Sequence, residues 1–190
     1  MNLKKYLVVT LSSISLFSCS NLKNKGNDIE LVQKYYNELN NSNYSKISQL
    51  VGDSITLSEG GYYMNFSEND YYRFFQWDSV FSPTYKVLEI NQKNNTIEVT
   101  ISKLCDRIQF LNEKPTTAKE IFEIREHQIT TITTTELNFD YKLWDLKKNK
   151  IISWIKLNHP ELDGFIYDQT KNGAQKYLKA IALYNKFNKL

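Results

Sequence analysis

The sequence predicts an α+β fold: an antiparallel sheet packed on N-terminal helices, with further helices appended at the C-terminal end. Three observations predict it. Apolar residues recur at the helical i, i+3/i+4 interval over 28–51 and again over 67–80. Between 85 and 137 apolar and β-branched runs broken by polar turns read as four strands, with Ile97, Val99 and Ile101 alternating at the period of a half-buried strand. Beyond 139 the helical spacing returns. Helices gathered at one end of the order and strands at the other give α+β.

Each element has local support. Asp28 is a candidate N-cap for a helix through Leu31, Val32, Tyr35, Tyr36 and Leu39. The polar turn 40–43 leads to a short second helix with Tyr44, Ile47, Leu50 and Val51, closed by Gly52. Ile55 and Leu57 mark a strand, Gly60-Gly61 a turn, and Tyr62 to Phe66 its return. Ser67 and Asp70 resemble a capping box opening a helix with Tyr71, Phe74, Phe75 and Val80, ended by Pro83. A hairpin follows: Tyr85 to Ile90, a turn at 92–95, then Ile97, Val99 and Ile101. After a loop at 112–116, Ile121 to Ile124 and the β-branched run Ile129 to Leu137 form another pair around Glu126-His127-Gln128. Residues 139–157 read as a helix stopped by Pro160, with a strand at 139–145 as the competing reading. A last helix runs from about Ala174 to Phe187.

The first twenty residues read as an export signal. Lys4 and Lys5 precede an apolar run from Tyr6 to Phe17, and Ser18 stands before Cys19. The run is shorter than the roughly 20 residues of a membrane span. It resembles a bacterial lipobox, which implies cleavage after residue 18 and acylation of Cys19 by a diacylglyceryl thioether and a further chain such as palmitate. Several chains make a stable anchor where one does not. The expected organisation is a cleaved signal at 1–18, an acylated tether at 19–27 and one domain at 28–190. Ser20 is compatible with sorting to the outer membrane, so the expected location is the cell envelope, periplasmic or surface face.

Cleavage changes the charge. The full chain has 24 basic and 21 acidic residues; losing Lys4 and Lys5 leaves 22 basic, a net charge of +1. A nucleic-acid partner is not expected without a clear basic excess. With Cys19 acylated, Cys105 has no partner for a disulfide and reads as a buried thiol.

Catalytic motifs are absent from the sequence. There is no HExxH, no clustered Cys/His, no phosphate loop and no GxSxG, so neither cofactor nor metal is expected. His127 falls in a tight turn and His159 before a proline, both positions of exposed or capping residues. Asp106 beside Arg107 stands near a strand end where a pocket residue could sit. Glu120, Glu123, Arg125 and Glu126 read as the solvated face of a strand. Tyr62, Tyr63, Phe74, Phe75 and Trp77 are candidate lining for an apolar ligand. The candidate ligand-binding set is therefore Tyr62, Tyr63, Trp77 and Asp106.

The phrases LVQKYYNELNNSNYSKISQLVGDSITL (31–57) and EIFEIREHQITTITTTEL (120–137), in this order of elements, resemble the nuclear transport factor 2-like superfamily, which includes SnoaL-like proteins. The resemblance covers roughly 29–137. It implies a cone-shaped fold with a curved sheet, an apolar pocket between sheet and helices, and C-terminal helices packed on the sheet or closing the pocket mouth. WIKLNHPEL (154–162) looks like an extension of exported bacterial relatives.

Three functions are compatible with this reading. The first is a non-catalytic domain binding a small apolar ligand. The second is a pocket enzyme of isomerase, dehydratase or hydrolase type, which requires at least two ionisable side chains converging in an apolar cavity. The third is an envelope role with a protein partner, or a homodimer formed through the threonine-rich sheet face at 130–135. The absence of a catalytic motif favours the first.

Overall fold

The computed structural model describes residues 20–188. The signal segment and Cys19 lie outside the described residues. The order is α1 (Ser20–Asn40), α2 (Tyr44–Ile47), β1 (Val51–Glu59), β2 (Tyr62–Ser67), α3 (Glu68–Ser79), β3 (Thr84–Lys93), β4 (Thr96–Leu104), α4 (Asp106–Asn112), β5 (Thr116–Arg125), β6 (Gln128–Glu136), α5 (Tyr141–Asn158), a 3-10 turn (Pro160–Leu162) and α6 (Lys171–Phe187). Helix α1 starts at Ser20 rather than at Asp28.

Local chemistry sets the boundaries. The Ser67 hydroxyl accepts from the Asp70 N–H at 3.2 Å and donates to its carboxylate at 2.7 Å, opening α3. Gly60 and Gly61 both have positive φ, +58° and +85°, as a two-residue hairpin turn of this hand requires. Glu126 and His127 do the same at 51° and 63° without glycine, a conformation that strains L residues. Gly52 lies inside β1 rather than at a helix end. Residues 139–145 form no strand; Asp140 caps α5 through the Leu143 N–H at 3.0 Å.

The six strands lie in the order β2-β1-β6-β5-β4-β3. The sheet is mixed rather than wholly antiparallel, because β1 and β6 run parallel, Glu59 opposite Thr134. These strands are far apart in sequence and meet only after the chain has built the others between them. Register shifts between Val87 and Glu89, Glu123 and Ile124, and Val51 and Thr56 add bulges, which bend strands and curve the sheet.

Helices α1 and α3 cover the concave face. Val32, Tyr35 and Tyr36 of α1 meet Ile97, Val99, Ile101, Phe122, Ile129 and Ile132 in one core. Asn40 clamps the end of α1 to β3, donating to the Tyr85 carbonyl at 2.9 Å and accepting from its N–H at 2.7 Å. A second core gathers Trp77, Phe81, Ile108, Leu111, Ile151, Ile155 and Tyr177. Helix α5 packs on α4 and α6, and α6 on α3 and α4. The appended helices thus close a core behind α3, not the mouth of the concave face. Cys105 is buried there and caps α4 through the Ile108 N–H at 3.4 Å.

Candidate functional site

Inward side chains change character along the concave face. On β4 the sequence Ile97, Val99, Ile101 ends in Lys103; on β5 Phe122 gives way to Glu120; on β6 Ile132 gives way to Thr134 and Glu136. Strand parity puts these residues on one side of the sheet. At the polar end they border a cavity of about 180 Å³. Leu39, Leu57, Met64, Phe74, Phe75 and Ile132 supply its apolar wall. Glu59, Asp78, Lys103, Glu120 and Glu136 reach it together with Tyr35, Tyr36, Tyr71 and Tyr85.

These polar groups are mostly paired. Lys103 Nζ donates to both Asp78 carboxylate oxygens, at 3.1 and 3.0 Å, and Tyr85 Oη donates to Asp78 Oδ2 at 3.0 Å. The ammonium also lies 5.0 Å from the centre of the Tyr85 ring. Tyr36 Oη donates to Glu120 Oε2, and Thr134 touches Glu120 Oε1 at 3.5 Å. Tyr35 and Tyr71 share a hydroxyl bond of 2.6 Å. One hydroxyl proton is consumed between them, and the other is free for a further acceptor. Glu136 is different: its Oε2 is buried with no hydrogen-bond partner among the described residues.

Burial and charge set the protonation states. Burial alone would raise Asp78, but Lys103, Arg107 and the hydrogen bonds from Lys103 and Tyr85 outweigh it and hold Asp78 below its ordinary value. Lys103 is raised in turn: burial disfavours its charge, and Asp78 more than restores it. Glu120 is raised by burial, despite the lowering effect of the Tyr36 hydrogen bond. Glu136 is pushed up to about 7 by burial, then by Glu59 and Glu120. Burial also raises the four cavity tyrosines, so each stays a neutral donor.

None of the four residues proposed from sequence borders this cavity. Tyr62 and Tyr63 stand on the edge strand β2, 79% and 73% exposed. Trp77 is buried in the second core, where the Arg107 guanidinium lies 4.8 Å from its ring centre. Asp106 opens α4 two residues beyond the end of β4, near the strand end as expected but away from this cavity. Phe74 and Phe75 do line the cavity. Glu120 faces inward, whereas Glu123 and Arg125, odd-numbered on the same strand, form an outer pair at 3.4 Å. The signal for Glu120 was its parity with Ala118 and Phe122.

No family model matches the chain, and no curated protein matches it. Solved structures do. The chain is similar to SalBIII, an epoxide hydrolase/cyclase-like enzyme in pyran ring formation of salinomycin, at 13% identity and TM-score 0.53, over 61% of this chain and 95% of that one. It is similar to a candidate ketosteroid isomerase from Kribbella flavida DSM 17836 at 13% identity and TM-score 0.52, over 62% and 82%. A designed protein with a curved β-sheet matches at 17% identity and TM-score 0.50, over 66% and 94%. At these identities the likeness concerns the fold. The chain shares with them an α+β cone fold, a curved mixed sheet packed on helices.

Proposed function

We propose that the cone is an acid–base pocket moving a proton on a small, mainly apolar substrate, as in an isomerisation or a dehydration. One observation carries the reading: Glu136, raised to about 7, lines a cavity with one apolar wall, and one of its carboxyl oxygens is buried without a hydrogen-bond partner among the described residues. A base is most effective when its pKa lies near the working pH. The cavity also meets the requirement set from sequence, with several ionisable groups where a passive apolar pocket needs none. The enzyme reading therefore replaces the non-catalytic one as the better supported. The similarity to an isomerase and a cyclase-like enzyme is compatible with it at the level of the fold.

The roles follow from position. Leu57, Phe74 and Phe75 hold the apolar body. Glu136 takes a proton from the substrate, and the free hydroxyl proton of the Tyr35–Tyr71 pair faces the oxygen on which negative charge develops. Glu120 stands beside Glu136 as a second carboxyl, and charge on it holds the Glu136 proton more tightly. Glu136 then returns the proton at a neighbouring atom. About 180 Å³ is below the usual range of roughly 300–1,000 Å³ for drug-sized ligands, so the substrate is small.

A second reading keeps the cavity for binding without turnover. It is favoured by the complete pairing of Asp78 with Lys103 and Tyr85, which leaves Glu136 to fix one polar head. Deuterium uptake separates the two. Small cyclic β,γ-unsaturated ketones in D2O should exchange and rearrange with the wild type, and about a hundredfold more slowly with Glu136→Gln. Binding of these ketones without exchange would sink the enzyme.

Anchoring belongs to the same proposal: acylated Cys19 would hold the domain in the cell envelope, at the outer membrane. Cys19→Ala should release the protein from salt-washed membranes of its host. Retention of that variant would exclude the anchor.

A further inference from the structure

The near-neutral total conceals two oppositely charged parts. Residues 28–140 carry seventeen acidic and ten basic residues, a net −7, while 141–190 carry ten lysines and four acids, a net +6. The basic part is the α5–α6 pair. Its inward residues, Ile151, Ile155, Tyr177 and Ile181, fill the second core, yet a second apolar stripe faces outward. Leu146, Trp154 and Leu157 of α5 line an open groove that Tyr184 and Phe187 complete from α6. Leu157 is 82% exposed, and Leu146 and Phe187 are each 53% exposed.

Lysines border this groove. Lys142, Leu146, Lys150 and Leu157 follow one another at i, i+4, i+8 and i+15, on one side of the helix. Lys150 lines the groove itself. Among the described residues, Lys142, Lys150, Lys156 and Lys186 form no ion pair, unlike Lys147 with Glu113 and Lys148 with Asp145. No helix among the described residues is long and apolar enough to cross a membrane.

We propose that the α5–α6 face docks on an anionic phospholipid surface, with its lysines at the headgroup phosphates and Leu146, Leu157 and Phe187 at the acyl boundary. Exposed apolar tips bordered by lysines are the composition of helices that lie in that interface. Unpaired lysines gain there and would gain nothing on a neutral bilayer. A second copy is an outcome of the test below, because the cone's net −7 is also complementary to these lysines. Docking is independent of the catalytic reading and of the Cys19 anchor.

Tryptophan quenching reads this contact apart from any N-terminal attachment. The full-length protein is mixed with phosphatidylcholine vesicles containing brominated phosphatidylglycerol, and fluorescence is followed at low and high salt. Quenching should appear at low salt, fade at high salt, and vanish in Trp154→Phe, which leaves Trp77 and Trp144 in place. The pair Lys142→Glu with Lys150→Glu should weaken it by about tenfold or more. The proposal fails if quenching survives in Trp154→Phe, if the lysine pair changes nothing, or if brominated phosphatidylcholine alone quenches equally. It also fails if sedimentation without vesicles shows a dimer that Leu157→Ser dissolves.

Discussion

Tyr36 of α1 donates its hydroxyl to Glu120 of β5, joining helix and sheet across 84 positions of sequence at the edge of the cavity. With the Asn40 clamp the bond ties α1 to the sheet, and it gives the Glu120 carboxyl its main partner.

Tyr36→Phe keeps the ring contacts with Phe122 and Tyr85 and removes only that bond. The expected cost is about 1–3 kcal/mol, for a buried acceptor left nearly unsatisfied. It should grow with pH, because the hydroxyl favours the charged form of Glu120. Urea unfolding measures the cost; a variant as stable as the wild type would contradict the pairing.

Glu136 makes a different pH signature. Its folded pKa of about 7 exceeds the ordinary value of 4.5, so the folded state holds the proton more tightly. Its favourable linkage is complete below about pH 4.5 and is lost as pH rises through about 7. Glu136→Gln should thus be neutral near pH 4 and stabilising by about 1 kcal/mol at pH 8, a figure reduced for the solvent that reaches this half-buried group. A stabilisation independent of pH would show that the carboxyl carries no such shift.

Asp78 and Lys103 depend on each other. Either Asp78→Asn or Lys103→Met leaves an uncompensated charge in a largely buried place, and each is expected to cost about 3–5 kcal/mol. The double variant should cost clearly less than the two added, with a coupling near 2 kcal/mol. Simple additivity in chemical denaturation would mean the pair is not coupled.

Gly173 reverses the usual helix rule. Alanine ordinarily stabilises a helix over glycine by about 1 kcal/mol. Here an added Cβ would fall on the Asp168 carbonyl oxygen and side chain, well inside contact distance. Gly173→Ala should lower stability by about 2–3 kcal/mol through overpacking. A raised melting temperature would refute the contact.

The fold was legible where periodicity is long. The strand alternation at 97–101, the β-branched run at 129–136 and the helical spacing of α3, α5 and α6 are each long enough to name the element. Helix α4 was not, since seven residues after a cysteine offer too few turns, and its cap is a weak sulfur acceptor. Parallel pairing of β1 with β6 has no local signature at all, because it joins residues some seventy-five positions apart. The site was hidden for a related reason. Glu120, Glu136 and Lys103 each look like solvated strand residues when read alone. Only the parity of three strands together turns them inward, and only the fold brings Asp78 to Lys103.

The titration of Glu136 is the most direct measurement. Carboxyl carbon shifts of the ¹³C-labelled glutamates, followed by NMR from acid to alkaline pH, should show one resonance titrating near 7 that is missing from Glu136→Gln. If that resonance titrates in the ordinary glutamate range of about 4 to 4.5, the cavity holds no poised base and the proposed proton transfer is wrong.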